Sequence, residues 1–185
     1  MSQPQSPGLP TITLGGGCFW CLDAVFNSVR GITDVESGYC NGAVARPRYE
    51  QACPGSTGHA EVVRLTFDPA IIRLRDILEI FFATHDPTTL NRQGNDVGTQ
   101  YRSGIYYEDP AHAEVANDLI REISQDKLWG ASITTEVQPL HNYWPAEDYH
   151  QDYYAKNPLQ GYCAYVVGPK VVKFRQTFAR FLKDE

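Results

Sequence analysis

The 185-residue sequence lacks the features that mark membrane, secreted and nucleic-acid-binding proteins. No apolar run approaches the roughly 20 residues needed to span a bilayer, and residues 1–10 carry neither the basic nor the apolar segment of a secretory signal. Positive charge is also scarce, because 22 acidic residues against 16 basic ones leave a formal net charge of −6. We therefore expect a cytoplasmic protein that has neither a membrane nor a nucleic acid as its partner.

Cysteine is infrequent, and its spacing does not indicate a structural framework. The five cysteines are odd in number and the chain is not a small secreted domain, so structural disulfides are not expected. A zinc site would need a second pair of ligands beside the CxxC of Cys18 and Cys21, and the histidines are scattered. A zinc-binding interaction module remains an alternative only if zinc ligands from distant parts of the chain come together in the fold. The thiols are otherwise either inert core residues or reactive groups.

The hydrophobic pattern indicates an α+β fold. Residues 1–10 form a predicted flexible tail, and the remainder, 11–185, a single domain without repeats or a linker. Strand patterns alternate with helical stripes, which favours a two-layer α/β sandwich with a ferredoxin-like core and leaves a doubly wound sheet as the alternative. The predicted strands are 11–14, 61–67, 102–107 and 132–137, and the predicted helices lie within 22–31, 74–81, 110–123, 145–156 and 171–181.

The segment GGGCFWC, residues 15–21, places a cysteine where a helix is expected to begin. There the free N–H groups and the helix dipole lower the pKa of a thiol, and we expect the glycines to give a substrate close access to Cys18. A thioredoxin-like disulfide oxidoreductase built on the CxxC is an alternative interpretation, as is a buried, inert cysteine. The helix is predicted from an apolar stripe and a terminal glycine: Leu22, Val25, Phe26, Val29 and Gly31.

Glu61 is a second candidate for chemistry. It shares strand parity with Val63, Leu65 and Phe67, so it points into the core if those residues do. Burial would raise the pKa of its carboxyl and keep it protonated near neutral pH, as a general acid requires. If the strand begins after Glu61, the residue is instead solvated at the strand's edge.

Two long predicted loops, residues 38–59 and 85–100, contain further polar candidates. Loops of this length in compact domains are often functional, and tyrosine hydroxyls can donate hydrogen bonds to a developing oxyanion. Ordinary turn chemistry is the alternative for each position. The candidates in and beside these loops are Tyr49, His59, Asp96, Gln100 and Tyr101.

Three separated segments carry a more specific signal. They read GGGCFWC (15–21), PRYEQACPGSTGHAEVV (47–63) and HDPTTLNRQGNDVGTQYRS (85–103). Together they resemble the peptide methionine sulfoxide reductase A family, in order along the chain from about Leu14 to at least Cys163. The resemblance implies a catalytic domain that reduces methionine S-sulfoxide, free or in proteins, with thioredoxin as the reductant. It implies no metal or organic cofactor.

The resemblance also implies roles for the candidate residues. Cys18 would attack the sulfur of the sulfoxide as a thiolate, and Glu61 would protonate the departing oxygen. Tyr49 and Tyr101 match the tyrosines that hydrogen-bond this oxygen, and Asp96 matches an acidic residue near the site. The product would be methionine and a sulfenic acid on Cys18.

The remaining implied roles concern the substrate wall and the other cysteines. Phe19 and Trp20 would surround the S-methyl group of the substrate. Cys163 would resolve the sulfenic acid through a disulfide, while Cys21 stays open as a direct partner or as a relay. The other two thiols are expected to take no part: Cys40 and Cys53.

Overall fold

The computed structural model describes residues 8–53, 55–127 and 129–184, and its centre is a six-stranded sheet. Residues 1–7 of the predicted tail lie outside the described residues. The strands are β1 (Thr11–Gly15), β2 (Ile32–Cys40), β3 (Ala60–Phe67), β4 (Arg92–Gln93), β5 (Asp96–Val97), β6 (Gly104–Tyr107), β7 (Glu136–Pro139) and β8 (Trp144–Pro145). In space the sheet follows the order β7, β6, β1, β3, β2, β8, and β4 pairs with β5 as a separate hairpin.

Most neighbouring strands of the sheet run antiparallel. Strand β1 lies between β3 and β6 and is antiparallel to both, and β2 is antiparallel to β3 and to β8. Strands β6 and β7 form the parallel pair. The doubly wound alternative is therefore wrong, because that fold joins parallel strands through crossover helices.

Helices pack against the sheet and complete a mixed α+β architecture. Helix α4 begins as predicted, since the Asp109 side chain accepts a hydrogen bond from the N–H of Ala111 and Pro110 occupies the first turn. A π-helical turn, Cys163–Val167, leads directly into the last helix. The α-helices are α1 (Phe19–Phe26), α2 (Tyr49–Ala52), α3 (Leu74–Thr84), α4 (Pro110–Gln125), α5 (Tyr153–Lys156) and α6 (Gly168–Thr177), with 3₁₀ turns at Thr99–Tyr101, Asp148–His150 and Ala179–Phe181.

The main hydrophobic core lies between the sheet and helices α1, α3, α4 and α6. Successive side chains of a strand point to opposite faces, so Val63 and Leu65 of β3 join this core while Ala60 and Val62 join a smaller cluster on the other face. Glu61 has the parity of Val63, and it therefore enters the main core at the beginning of the strand.

Several predicted boundaries are wrong. Helix α1 ends at Phe26, and Gly31 lies in the following turn at φ +95° instead of capping the helix. Strand β2 was not predicted, and it includes residues 38–40 of the first predicted loop. Residues 85–100 contain the β4–β5 hairpin, the predicted strand 132–137 is replaced by β7, and the predicted helix 145–156 is divided into β8, a 3₁₀ turn and α5.

Among the helices of the described ranges, none combines the length and apolar character that a membrane crossing requires.

Candidate active site

Cys18 lies between the end of β1 and the start of α1. Its backbone is extended at φ −60° and ψ 129°, and its carbonyl accepts the N–H of Cys21 at 3.1 Å, which closes the first turn of the helix. The residue is 8% exposed. Burial, followed by the nearby Glu61 and Cys21, raises the pKa of the Cys18 thiol well above its usual value and outweighs the hydrogen bond from the backbone of Trp20. The expected lowering of this pKa is therefore wrong for the resting site.

The three glycines before Cys18 pack against the protein itself. A Cβ atom at Gly16 would come within 3.1 Å of the His85 ring, and one at Gly17, where φ is +92°, within 2.7 Å of the Gln93 side chain. The space beside both glycines is therefore filled by side chains of the protein, while the access of a substrate to Cys18 stays a prediction. The glycines allow His85 and Gln93 to support the turn that presents Cys18.

Glu61 is buried, with 1% of its surface exposed, and faces the beginning of α1. Its Oε1 accepts a hydrogen bond from the N–H of Phe19 at 3.3 Å, while its Oε2 has no hydrogen-bond partner among the described residues. Burial raises the pKa of Glu61 to about 8, although the hydrogen bond from Phe19 opposes this, and the charge of Asp96 raises it further. The carboxyl is therefore mostly protonated at neutral pH, beside the cysteine thiol.

Tyr49 and Tyr101 approach the same site from different parts of the chain. Tyr49 begins α2, and Tyr101 ends the 3₁₀ turn that follows the β4–β5 hairpin. Burial first, and then the charge of Glu61, raises the pKa of both hydroxyls, with Cys18 contributing to each. Both tyrosines therefore keep their protons at physiological pH and can donate hydrogen bonds.

Asp96 is brought to the site by the hairpin. It pairs across the hairpin with Gln93, and its Oδ2 accepts a hydrogen bond from the Tyr162 hydroxyl at 2.6 Å. Its charge contributes to the raised pKa values of Cys18 and Glu61. The structure thus gathers Cys18, Glu61, Asp96 and the two tyrosines from five separate segments.

Trp20 lies in the first turn of α1, two residues after Cys18, and is held on two sides. Its indole ring stacks on Tyr153, with the centroids 3.8 Å apart and the planes 6° from parallel. Its Nε1–H donates to Nδ1 of His150 at 3.0 Å, and the ring of Tyr162 meets it edge-on. Phe19 is wholly buried and packs beside Tyr49, so it supports this turn of the helix from the core.

Cys21 lies between the nucleophile candidate and Cys163. Burial raises the pKa of Cys21, while the charge of Lys170 and the neighbouring Tyr162 hydroxyl oppose the shift. Cys163 is close enough for its charge to add to this shift. The Cys163 thiol is itself buried at the start of the π-helical turn, and burial raises its pKa. All five cysteines are free thiols.

A family model for peptide methionine sulfoxide reductase matches residues 10–182. This chain belongs to the peptide methionine sulfoxide reductase family. It is accordingly an oxidoreductase. Peptide methionine sulfoxide reductase MsrA of Polynucleobacter asymbioticus is 50% identical over 188 residues, covering 100% of this chain and 99% of the relative. MsrA of Ralstonia nicotianae is 53% identical over 186 residues, covering 98% and 97%.

Solved structures of the family have the same architecture. Mxr1 of Saccharomyces cerevisiae in reduced form superposes with a TM-score of 0.79 at 36% identity, over 88% of this chain and 92% of that one. Methionine sulfoxide reductase A of Corynebacterium diphtheriae gives 0.76 at 36% identity, over 89% and 82%. Mxr1 in complex with Trx2 gives 0.56 at 25% identity, over 83% and 90%.

Two polar candidates of this reductase have structural partners instead of facing the site. The imidazole of His59 accepts the N–H of Gly42 through Nδ1 at 3.2 Å and donates through Nε2 to the carbonyl of Val44 at 2.6 Å. Gln100 donates to the carbonyl of Cys53. Both side chains therefore organise the long loop before β3.

Four residues of the site in this reductase were not among the predicted ones: Glu147, His150, Tyr153 and Tyr162. Glu147 accepts the N–H of Tyr49 at 3.1 Å, and the other three surround Trp20. The signal that could have indicated the first three is the density of aromatic and acidic side chains over residues 143–154, which follows neither a helical nor a strand period. Tyr162 lies outside this segment. Within the described parts of the chain, no group of three or more His, Cys, Asp or Glu side chains could hold a metal ion.

Proposed function

We propose that this reductase converts methionine S-sulfoxide, free or in proteins, to methionine through a sulfenic acid on Cys18 and an intramolecular disulfide. The observation that carries the proposal is the pairing of Cys18 with a buried, protonated Glu61, beside two neutral tyrosine hydroxyls. A sulfoxide needs a nucleophile for its sulfur and a proton for its oxygen, and this site supplies both.

In the first step the sulfur of Cys18 attacks the sulfur of the sulfoxide. Glu61 donates its proton to the sulfoxide oxygen as negative charge develops there. The bond between the two sulfurs and the substrate S–O bond then break as the protonated oxygen passes to the Cys18 sulfur, so the substrate sulfur gains two electrons and the cysteine sulfur loses two. The thiol enters with its proton and not as the expected thiolate, because its pKa lies well above the usual value. This proton passes to the Glu61 carboxylate as the bond to the substrate sulfur forms, which restores the acid.

Tyr49 and Tyr101 stabilise the charge on the oxygen during this step. Their raised pKa values keep them as donors, and donors aimed at a developing oxyanion act strongly where water is excluded. Asp96 holds the hydroxyl of Tyr162 at 2.6 Å and so fixes the side of the site next to the indole. Trp20, supported by Phe19, contacts the S-methyl group of the substrate.

The second step joins the sulfenic acid to another thiol with release of water. We assign Cys163 as the resolving cysteine, because it lies near Cys21 and follows a segment, residues 157–161, that has few regular hydrogen bonds. To reach Cys18, the Cys163 thiol has to leave its buried position. Cys21 is the second candidate, as direct partner or relay, because it lies one turn from Cys18 and near Cys163. A dithiol then returns the enzyme to its reduced state.

We propose thioredoxin as that dithiol, on the ground that the related Mxr1 has been seen in complex with Trx2. Five unpaired thiols suit a reducing compartment such as the cytoplasm. We also propose that residues 11–185 form one catalytic domain. Its ferredoxin-like character is supported by the antiparallel order β6, β1, β3, β2 within the sheet.

The test of the reaction uses the purified enzyme with dithiothreitol and each epimer of methionine sulfoxide in turn. The expected result is methionine from the S epimer at a rate at least about 10²-fold above that from the R epimer, since each reductase class handles one epimer. Equal rates, or reduction of a protein disulfide without sulfoxide turnover, would contradict the proposal. The latter outcome would favour a disulfide oxidoreductase built on Cys18 and Cys21.

The resolving cysteine is identified by mapping the disulfide after one equivalent of substrate without reductant. We expect a Cys18–Cys163 bond in the wild type and in Cys21→Ser, detected by peptide mass spectrometry under non-reducing conditions. A Cys21–Cys163 bond in the wild type, replaced by Cys18–Cys163 in Cys21→Ser, would assign Cys21 as a relay. A Cys18–Cys21 bond that persists in Cys163→Ser would overturn the assignment of Cys163.

A further inference from the structure

A buried carboxylate that takes no part in the proposed chemistry is bonded to the segment that leads into Tyr153. Asp23 lies in the middle of α1, one turn after Trp20, and is 2% exposed. Its Oδ2 accepts hydrogen bonds from the Ser37 hydroxyl at 3.1 Å and from the N–H of Asp152 at 3.1 Å, and its Oδ1 accepts from the Asn27 amide. It thereby links the nucleophile-bearing helix to β2 and to a segment about 130 residues further along the chain.

Burying a carboxylate at this position is unfavourable for the free energy of folding. All three of its hydrogen-bond donors are neutral groups, and burial raises the pKa of Asp23 to about 6 despite them. An apolar side chain of similar size would avoid the cost of burying a charge. The presence of a carboxylate here is therefore best explained by the groups whose positions it fixes through hydrogen bonds.

The group that it holds most directly is the backbone of Asp152, which is in an unusual conformation. Asp152 has φ 54° and ψ 38°, in the left-handed region that non-glycine residues seldom adopt. The next residue, Tyr153, begins α5 and stacks on Trp20 at 3.8 Å. A change in the Asp152 backbone would therefore move the ring that supports the indole.

A second set of bonds fixes the same segment. The Gln151 amide accepts the N–H of Ser37 at 2.8 Å and donates to the carbonyl of Ser37 at 3.0 Å, in the manner of a neighbouring strand. Since Ser37 is itself bonded to Asp23, the side chains of residues 23, 37 and 151 form one connected clamp. His150, which accepts the indole N–H of Trp20, directly precedes the clamped residue.

We propose that Asp23 is a positioning residue, which holds the 150–153 segment in the one geometry that stacks Tyr153 on Trp20 and so shapes the pocket for the substrate methyl group. Asp23 touches neither the substrate nor Cys18 in this account. The inference rests on the proposed role of Trp20, and it predicts an effect on substrate affinity that exceeds the effect on the chemical step.

The test compares Asp23→Asn with Asn27→Ala and Gln151→Ala in single-turnover reduction of methionine S-sulfoxide. In Asp23→Asn we expect the half-saturating substrate concentration to rise on the order of tenfold, the worth of a hydrogen bond to a charged acceptor. The rate constant at saturation should stay within about threefold. Asn27→Ala, which removes a donor without touching the clamped segment, should leave both values unchanged. Gln151→Ala should raise the half-saturating concentration by a smaller factor.

Two measurements need no turnover and separate this inference from the proposed reaction. The near-ultraviolet circular dichroism that is lost in Trp20→Phe should also be lost in Asp23→Asn, because it reports the Trp20–Tyr153 stack, and the alkylation rate of Cys18 should not change. An Asp23→Asn enzyme with wild-type affinity and circular dichroism would overturn the inference.

If Asp23→Asn does not fold, Gln151→Ala is the deciding variant, and wild-type affinity and circular dichroism in that variant would overturn the inference. Absence of sulfoxide turnover in the wild type would overturn the reaction, while the spectroscopic comparison would still decide the role of Asp23.

Discussion

Replacement of Glu61 by glutamine should separate the catalytic role of this side chain from its cost to the fold. Glutamine keeps the size of the side chain and an oxygen that can accept the N–H of Phe19, but it has no proton to give. We expect the single-turnover rate of sulfoxide reduction to fall by about 10²–10⁴-fold, as for loss of a general acid. The wild-type rate should itself decline tenfold per pH unit above about 8, where Glu61 loses its proton.

The same substitution should stabilise the protein, and the size of the effect follows from the pKa. In the folded state the pKa of Glu61 is raised from 4.5 to about 8, so the folded protein binds a proton that the unfolded chain releases between these values. Wild-type stability is therefore lost as the pH rises through this window, at about 1.4 kcal/mol per unit. Relative to its value at low pH, where Glu61 is protonated in both states, the unfolding free energy of the wild type falls by roughly 3 kcal/mol at pH 7 and by about 5 kcal/mol above pH 8 through this group.

The assay is urea unfolding of both proteins at intervals between pH 4.5 and 9, with tryptophan fluorescence as the measure of unfolding. The difference in unfolding free energy, glutamine variant minus wild type, should increase up to about pH 8 and then become level. Titrating groups remote from Glu61 contribute equally to both proteins and cancel. The groups whose pKa values Glu61 raises, Cys18, Tyr49 and Tyr101, titrate above this pH range. A difference that does not vary with pH would refute the raised pKa, and an unchanged single-turnover rate would refute the role of Glu61 as the acid.

Two further predictions concern the oxygen site and the turn before Cys18. Tyr49→Phe and Tyr101→Phe should each slow the sulfoxide step on the order of 10²-fold by removing one donor to the oxygen, and a wild-type single-turnover rate in either variant would contradict the role of that hydroxyl. Gly17→Ala should destabilise the protein by at least about 1 kcal/mol in thermal unfolding, because φ is +92° and the new methyl group would meet Gln93 at 2.7 Å. Gly161→Ala, at a position open to solvent, is its matched control, and equal melting temperatures for the two variants would contradict the packing described for Gly17.

The elements that the sequence predicted well are those whose burial repeats with a regular period. Strand β3 alternates cleanly and α4 carries both an apolar stripe and the Asp109 cap, so each could be placed to within a few residues. Strand β2 could not, because it has an irregular register between Ile32 and Asp34 and several of its first residues are exposed. Its nearest pairing, Cys40 with Ala60, already spans 20 residues, and β8 lies more than 100 residues away, so no local pattern indicates these partners.

The residues of the site also divide into those with a local sequence signal and those without one. Cys18 and Glu61 could be found from local signals, a helix start after glycines and the parity of a strand. His150 and Tyr153 could not, because their role arises from packing on Trp20 across some 130 residues of chain. The pKa of Cys18 was predicted in the wrong direction, since helix position favours the thiolate but the burial that opposes it appears only after folding.

The most direct test of the account is the identity of the sulfur that receives the oxygen. In a Cys21→Ser, Cys163→Ser double variant the sulfenic acid has neither of its candidate partners, so one equivalent of methionine S-sulfoxide followed by dimedone should leave a stable adduct. We predict one methionine released per enzyme and one dimedone label, located on Cys18 by peptide mass spectrometry. Methionine release without a label on Cys18, or release from the Cys18→Ser enzyme, would contradict the central claim.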